Sequence, residues 1–301
     1  MMRSRPAGPR AFAAVPRPAG QREGPPFMLR SFSLVSCLVL LAGATRPAAA
    51  ASLPSAASSR EAASRPAASR PAVAPPGQTF SYGRFGQVTV YRPAGTPEGV
   101  VLFVSGDGGW NLGVVDMANH LKDWGALVVG IDIRSYLKSS AAAAESCTDA
   151  AADFDALARF AEGKVGYQEH AKPILVGYSS GATLVYAAIV QAKPGVFQGA
   201  ISLGFCPDLL VKKPFCAGHG LTFVSGVKGK GTVFDPGKHL EDPWFAFQGS
   251  IDQVCDPQAT ADYLKAVRNG ELVWLDKVGH GFSVERRWLP QFKESYLKLA
   301  R

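Results

Sequence analysis

Residues 78–301 predict a three-layer α/β sandwich, a mostly parallel sheet covered by helices on both faces. Three observations carry this. Strand-like runs at 100–104 and 126–131 are apolar throughout, as strands buried on both faces are. They alternate with segments whose apolar residues recur at helical spacing. Two runs end directly in glycine-rich turns, at 105–110 and 177–181, where such sheets carry their chemistry.

Taken in order, 87–91 (QVTVY) is β-like and 100–104 is a buried strand. Residues 112–124 place Leu112, Val115, Ala118 and Leu121 on one helical face. Residues 126–131 form the next buried strand, and 150–161 an amphipathic helix. Residues 174–176 run through Gly177 into the helix 182–192. Later strands are expected at 200–203, 244–247 and 272–275, with helices at 258–268 and 289–299. The stretch 205–240 fits none of these patterns and is expected to be a lid-like insertion.

The front of the chain is of another kind. The formal charge of +8 invites a nucleic-acid reading. Yet residues 1–77 hold ten Arg, no Lys and two Glu, a balance of +8. Residues 78–301 hold 22 basic and 22 acidic residues, a balance of zero. The basicity therefore lies outside the predicted domain, which argues against nucleic acid as a partner. Within the front segment, Arg30 precedes a short apolar run at 34–44 that ends in Ala42, Gly43 and Ala44. That anatomy predicts a secretory signal peptide over 1–44, with Met28 as an alternative start, and so a periplasmic protein. A lipoprotein-like LVSC ends at Cys37, but the strongest apolar stretch follows the cysteine, which disfavours lipidation. Residues 45–77, rich in Pro and Ala, read as a linker with too little apolar surface to fold.

The chemistry points to 177–181, GYSSG, a G-x-S-x-G sequence between a strand and a helix. Ser179 would sit on a strained turn that projects its hydroxyl, and Gly177 and Gly181 would keep side chains from colliding across it. This is the nucleophile elbow of α/β hydrolases, in which the acid and then the base follow the serine along the chain. His280 follows the last strand and is the candidate base; His120 and His170 precede the serine and read as structural. Asp252, at the end of the strand 244–247, is the favoured acid, with Asp256 as its rival. Oxyanion donors are expected at the amides of Ser180 and of Asp107 or Gly108, since the glycines of SGDGGW let backbone approach a ligand closely. No G-K-[ST] follows that loop, so a phosphate cradle is disfavoured. Trp110 reads equally as pocket lining or as packing beneath the loop. No cofactor and no metal is expected: Cys206, Cys216, His219 and His239 lack the spacing of a metal site.

The segments SGDGGW (105–110), VVGIDIRSYL (128–137) and GYSSGA (177–182) resemble the VirJ family, including the VirJ-like C-terminal domain of AcvB. The resemblance implies an exported bacterial α/β hydrolase with Ser179, Asp252 and His280 as its triad. It also implies an ester of an aminoacylated phospholipid such as lysyl-phosphatidylglycerol as substrate, or a role beside secretion-system proteins. The family elbow reads GYSFGAD, whereas this chain has Ser180 and Thr183 and so lacks the carboxylate that could meet a lysyl ammonium.

Four cysteines follow the signal segment, and an even count in an exported chain suggests disulfides. Cys206 and Cys216, close in sequence, are the expected pair, leaving Cys147 with Cys255. The loop 205–240 carries five Lys and two Asp; spread over that length they read first as a solvated face, and second as a lid meeting anionic head groups at a membrane surface. The expected function is a serine esterase acting on a small-molecule or lipid ester. The alternatives are a peptidase or thioesterase on the same triad, and a non-enzymatic partner of an envelope or secretion assembly.

Overall fold

The computed structural model describes residues 77–167, 170–226 and 231–301, all within the unit Ser69–Arg301. The signal peptide, Cys37 and all of the expected linker except Gly77 lie outside the described residues. Eight strands form one sheet in the order β1-β2-β4-β3-β5-β6-β10-β11. In chain order these are β1 (Gln78–Tyr82), β2 (Gly86–Tyr91), β3 (Gly99–Val104), β4 (Ala126–Ile131), β5 (Ile174–Tyr178), β6 (Gly199–Leu203), β10 (Trp244–Gly249) and β11 (Gly270–Leu275). The six from β4 to β11 are parallel, while β1 and β2 add an antiparallel hairpin at one edge.

The wholly apolar strands split their side chains between two cores, because successive residues face opposite ways. Val100, Leu102 and Val104 of β3 enter one core, with Phe154, Leu157, Leu184 and Val185. That core lies under the helices α2 (Ile133–Ala142), α3 (Ala150–Val165), α4 (Ser180–Gln191) and α5 (Pro257–Leu264). Val101 and Phe103 enter the other, with Met117 and Leu121 of α1 (Leu112–Asp123) and Phe292 and Tyr296 of α6 (Leu289–Leu299). Helix α4 is buried from Gly181 to Gln191, since it packs on β5 and β6 beneath α3. No helix among the described residues is long and apolar enough to cross a membrane.

Strand order reverses at β3, which has β4 on one side and β5 on the other. At such a switch point the connections leave in opposite directions and open a crevice at the carboxyl ends. The exits of β3 and β5 lie level there, with Val104 paired to Gly177. The stretch 205–240 contributes three short strands, β7 (Asp208–Leu209), β8 (Phe223–Ser225) and β9 (Thr232–Phe234), in a separate antiparallel sheet ordered β7-β9-β8.

Two disulfides are present, Cys147–Cys216 and Cys206–Cys255, and they correct the expected pairing of Cys206 with Cys216 and Cys147 with Cys255. Nearness in sequence misled. Strand β7 begins just after Cys206, and the chain then bridges Phe215 to Thr148, which brings Cys216 to Cys147 before α3. Cys206 stays at the exit of β6, and Cys255 follows the exit of the neighbouring strand β10. Two such bonds belong to a protein folded in an oxidising compartment.

Candidate active site

Ser179 has φ 56° and ψ −125°, a conformation that L residues rarely adopt. What imposes it is close backbone packing. A Cβ on Gly177 would lie 2.2 Å from the Gly181 carbonyl oxygen, and one on Gly181 would lie 2.4 Å from the Ser105 carbonyl oxygen. The turn is further fixed by the Ser179 amide, which donates to the Leu203 carbonyl at 2.9 Å. A Cβ on Gly106 would come within 3.0 Å of the Ser179 Cβ, so the loop after β3 also lies against the serine.

The serine hydroxyl is 2.9 Å from Nε2 of His280, and Nδ1 of the same ring is 2.8 Å from Oδ2 of Asp252. With the ring proton on Nδ1, Asp252 accepts it and leaves Nε2 free to accept from Ser179. The Asp252 side chain is 0% exposed. Its second oxygen accepts the amides of Val254 and Cys255 at 2.8 and 3.0 Å, so both oxygens are occupied and the carboxylate has one orientation. The structure thus brings Ser179, His280 and Asp252 into one line. Asp256, four residues on, instead caps α5 by accepting the Ala259 amide at 2.7 Å.

Asp107 and Ser180 also meet at the mouth, where the Ser180 hydroxyl donates to Asp107 at 2.6 Å. Gly106 and Gly109 close a turn through the Gly109 amide at 2.9 Å, with Asp107 and Gly108 between them. Asp107 lines the cavity beside Ser179, whereas the Gly108 carbonyl accepts from Asn111. That cavity is about 240 Å³ and is walled by Asp107, Thr183, Cys206, Asp208, Leu210 and Val254 among others. Thr183 does not point a charge into it; its hydroxyl donates to the Cys206 carbonyl at 2.6 Å. A larger hollow of about 600 Å³, beside Arg92, Thr96 and Tyr167, lies near the opposite ends of the strands and is remote from the serine.

Several supporting residues lie within segments quoted above but were not singled out there. Tyr178 donates its hydroxyl to the His280 carbonyl at 3.1 Å and packs on the imidazole; burial, aided by the Asp252 charge, raises its pKa. Asp132 and Arg134 form a fork beneath the 105–110 loop. The Arg134 guanidinium holds the Asp132 carboxyl below its ordinary range, and the Trp110 amide also binds that carboxylate. Gly109 is favoured there by its φ of 81°, and the Arg134 guanidinium lies where a Cβ would stand. For Asp132 and Arg134 the signal in the sequence is the charged pair of DIR at 132–134, directly after a buried strand. Trp110 packs on Gly130 and Phe103 and donates to the Tyr91 hydroxyl at 3.0 Å, which resolves its reading as packing. His120 stacks on Trp124, and His170 pairs with Glu162. Cys206 and Cys216 are each tied to another cysteine, so they do not join His219 and His239 in a ligand set. Asp252, Cys255 and His280 do converge, but Cys255 is in a disulfide and the other two bond each other.

Residues 98–202 match the family model described as VirJ: Bacterial virulence protein (VirJ). The match spans β3 to β6 and so includes the Ser105–Trp110 loop and the elbow but not Asp252 or His280. None of the curated proteins matches the chain. Among solved structures, the esterase domain of a Rhodothermus marinus protein aligns with a TM-score of 0.50 at 18% identity, over 74% of this chain and 97% of its own. Esterase 2 of Thermogutta terrifontis, in a form phosphonylated by cyclosarin, aligns with a TM-score of 0.50 at 14% identity, over 75% of this chain and 96% of its own. The shared architecture is the α/β fold of serine hydrolases and esterases.

Proposed function

We propose that this protein, a chain with the α/β serine-hydrolase fold, is an exported esterase that uses Ser179, His280 and Asp252. The observation that carries the reading is the unbroken hydrogen-bond line of 2.9 and 2.8 Å on a strained elbow. Ser179 attacks the ester carbonyl while His280 Nε2 takes its proton. Asp252 stabilises the imidazolium that forms, and the amides of Ser180 and of Asp107 or Gly108 receive the developing oxyanion. His280 then protonates the leaving alcohol, and water, activated by the same imidazole, releases the acid.

The wall of the cavity favours a cationic ester. Asp107 and Asp208 both face it, and among the described residues no basic side chain lines it. Leu210 and Val254, 73% and 67% exposed, add an apolar rim. An aminoacylated phospholipid combines an ammonium, an ester and an apolar body, in keeping with the VirJ resemblance. Asp107 and Asp208 would take over the role of the carboxylate missing at position 183. The two disulfides and the apolar run at 34–44 support action in the periplasm, at the outer face of the inner membrane.

The test is lipid profiling of a deletion strain complemented with wild type or with Ser179→Ala, together with fluorophosphonate labelling of both proteins. An aminoacyl lipid accumulating in the deletion and mutant strains, with label on wild type alone, is the expected result. Labelling of Ser179→Ala equal to wild type would overturn the assignment. A mutant that restores every phenotype would instead favour a non-enzymatic role in an envelope or secretion assembly.

A further inference from the structure

The geometry points to the Cys206–Cys255 disulfide as a positioning device for the triad acid, so that turnover depends on the oxidation state of this one bond. The inference rests on the serine-esterase reading above. Its ground is the way the turn after Asp252 is held. The Asp252 carboxylate is oriented by the amides of Val254 and Cys255, in a turn whose end the disulfide ties to Cys206. That turn leaves the sheet after β10 and carries the exposed side chains of Ile251 and Val254, so little apolar packing holds it. Apart from the disulfide, Cys255 is held through its carbonyl by Gln248 at 3.2 Å, and through its amide by Asp252 itself.

The other end of the disulfide is equally close to the chemistry. Cys206 stands two residues after Gly204, where a Cβ would lie 3.0 Å from Cε1 of His280. Its carbonyl accepts the Thr183 hydroxyl, which fixes it to the first turns of the nucleophile helix. One covalent bond therefore ties the acid turn to a segment that touches the base and is anchored behind the nucleophile. The Cys147–Cys216 bond does nothing comparable: it joins the start of α3 to the 205–240 insert, where Gln191 bridges Thr148 and Cys216.

Cys206 is partly exposed in the cavity wall, and Cys255 is buried. A small dithiol would attack the Cys206 sulfur as its thiolate, and the S–S bond would break with Cys255 leaving as a thiolate that takes a proton. The reductant's second thiol would then displace Cys206, yielding two protein thiols and a cyclic oxidised reductant. With the bond open, the Val254 and Cys255 amides lose their fixed register on Asp252. Small misplacements of a catalytic group cost about a hundredfold in rate. The enzyme would thus be weak before disulfide formation and reach full activity only in an oxidising compartment.

The experiment compares Cys206→Ala/Cys255→Ala with Cys147→Ala/Cys216→Ala, in the full chain, on 4-nitrophenyl acetate. The first pair is expected to lower kcat about ten- to hundredfold with KM changed less than about twofold. The second should lower Tm and leave kcat within about twofold. In an Asp252→Asn background, removing Cys206 and Cys255 should cost almost nothing further, because the bond acts through that carboxylate. The far-downfield proton signal of the His280–Asp252 hydrogen bond should weaken in the first pair and persist in the second. Unchanged kcat in the first pair, or an equal loss in the Asp252→Asn background, overturns the inference. If the first pair does not fold, the Cys147→Ala/Cys216→Ala protein, which keeps Cys206–Cys255, treated with a dithiol while its circular dichroism is unchanged gives the same reading. Absence of Ser179-dependent turnover in wild type would be a failure of the esterase reading instead, and the downfield proton would still report on the positioning.

Discussion

The elbow and the 205–240 insert face the same cavity but are held in opposite ways. At the elbow, backbone packs on backbone: Gly177, Gly181 and Ser105 leave no room for a methyl group, and the strain at Ser179 is absorbed by the strands on either side. Among its described residues the insert has three strands of two or three residues and little other regular structure to hold it. Cysteines Cys206 and Cys216 staple its first part, and its last part hangs on tyrosines. Tyr186 accepts the Gly237 amide at 2.7 Å and donates to the Asp235 carbonyl, and Tyr263 donates to the same carbonyl. Burial pushes the Tyr186 hydroxyl up to about 12 and the Tyr263 hydroxyl further, so both remain neutral donors. The difference teaches that elbow and substrate wall are held by different means: one is fixed by close packing that tolerates no change, the other by a few cross-links, of which Cys206–Cys255 alone reaches the turn of the triad acid.

The largest expected effect breaks the comparison at its chemical centre. Ser179→Ala should lower kcat by about 10⁴-fold or more while Tm holds or rises, since the strained serine contributes to rate and not to stability. Next is the staple of the insert. Removing Cys147 and Cys216, which close a separation of 69 residues, should cost about 4 kcal/mol of stability in a denaturant titration. Turnover by the protein that remains folded should be intact, and a matching loss of kcat would mean that wall and centre are not separate. Gly177→Ala should cost about 3 kcal/mol through its collision with Gly181, and here stability and fluorophosphonate labelling should fall together. The smallest effect sharpens the comparison at the wall. Asp107→Asn and Asp208→Asn should each reduce the preference for a cationic over a neutral ester about fivefold, the scale of one exposed ion pair. Equal losses on both esters would remove the carboxylates from recognition.

The sequence carried the frame because the frame is local. Apolar strand runs, helical spacing and the strand-to-helix setting of GYSSG are each contained in a few neighbouring residues, and each reflects a steric or burial requirement that only certain residues meet. Ser179, Asp252 and His280 were nameable because every candidate follows the end of a strand. Three other features were decided only by the tertiary structure. The cysteine partners depend on which strands are neighbours, and β6 lies beside β10 although 40 residues separate Leu203 from Trp244. The bond from the Ser180 hydroxyl to Asp107 depends on the loop after β3 lying against the elbow. The roles of Tyr178, Asp132 and Arg134 depend on contacts with loops far away in the chain. A chain fixes by itself what close neighbours along it must do; what two distant turns do to each other is decided by strand order, which no single segment encodes.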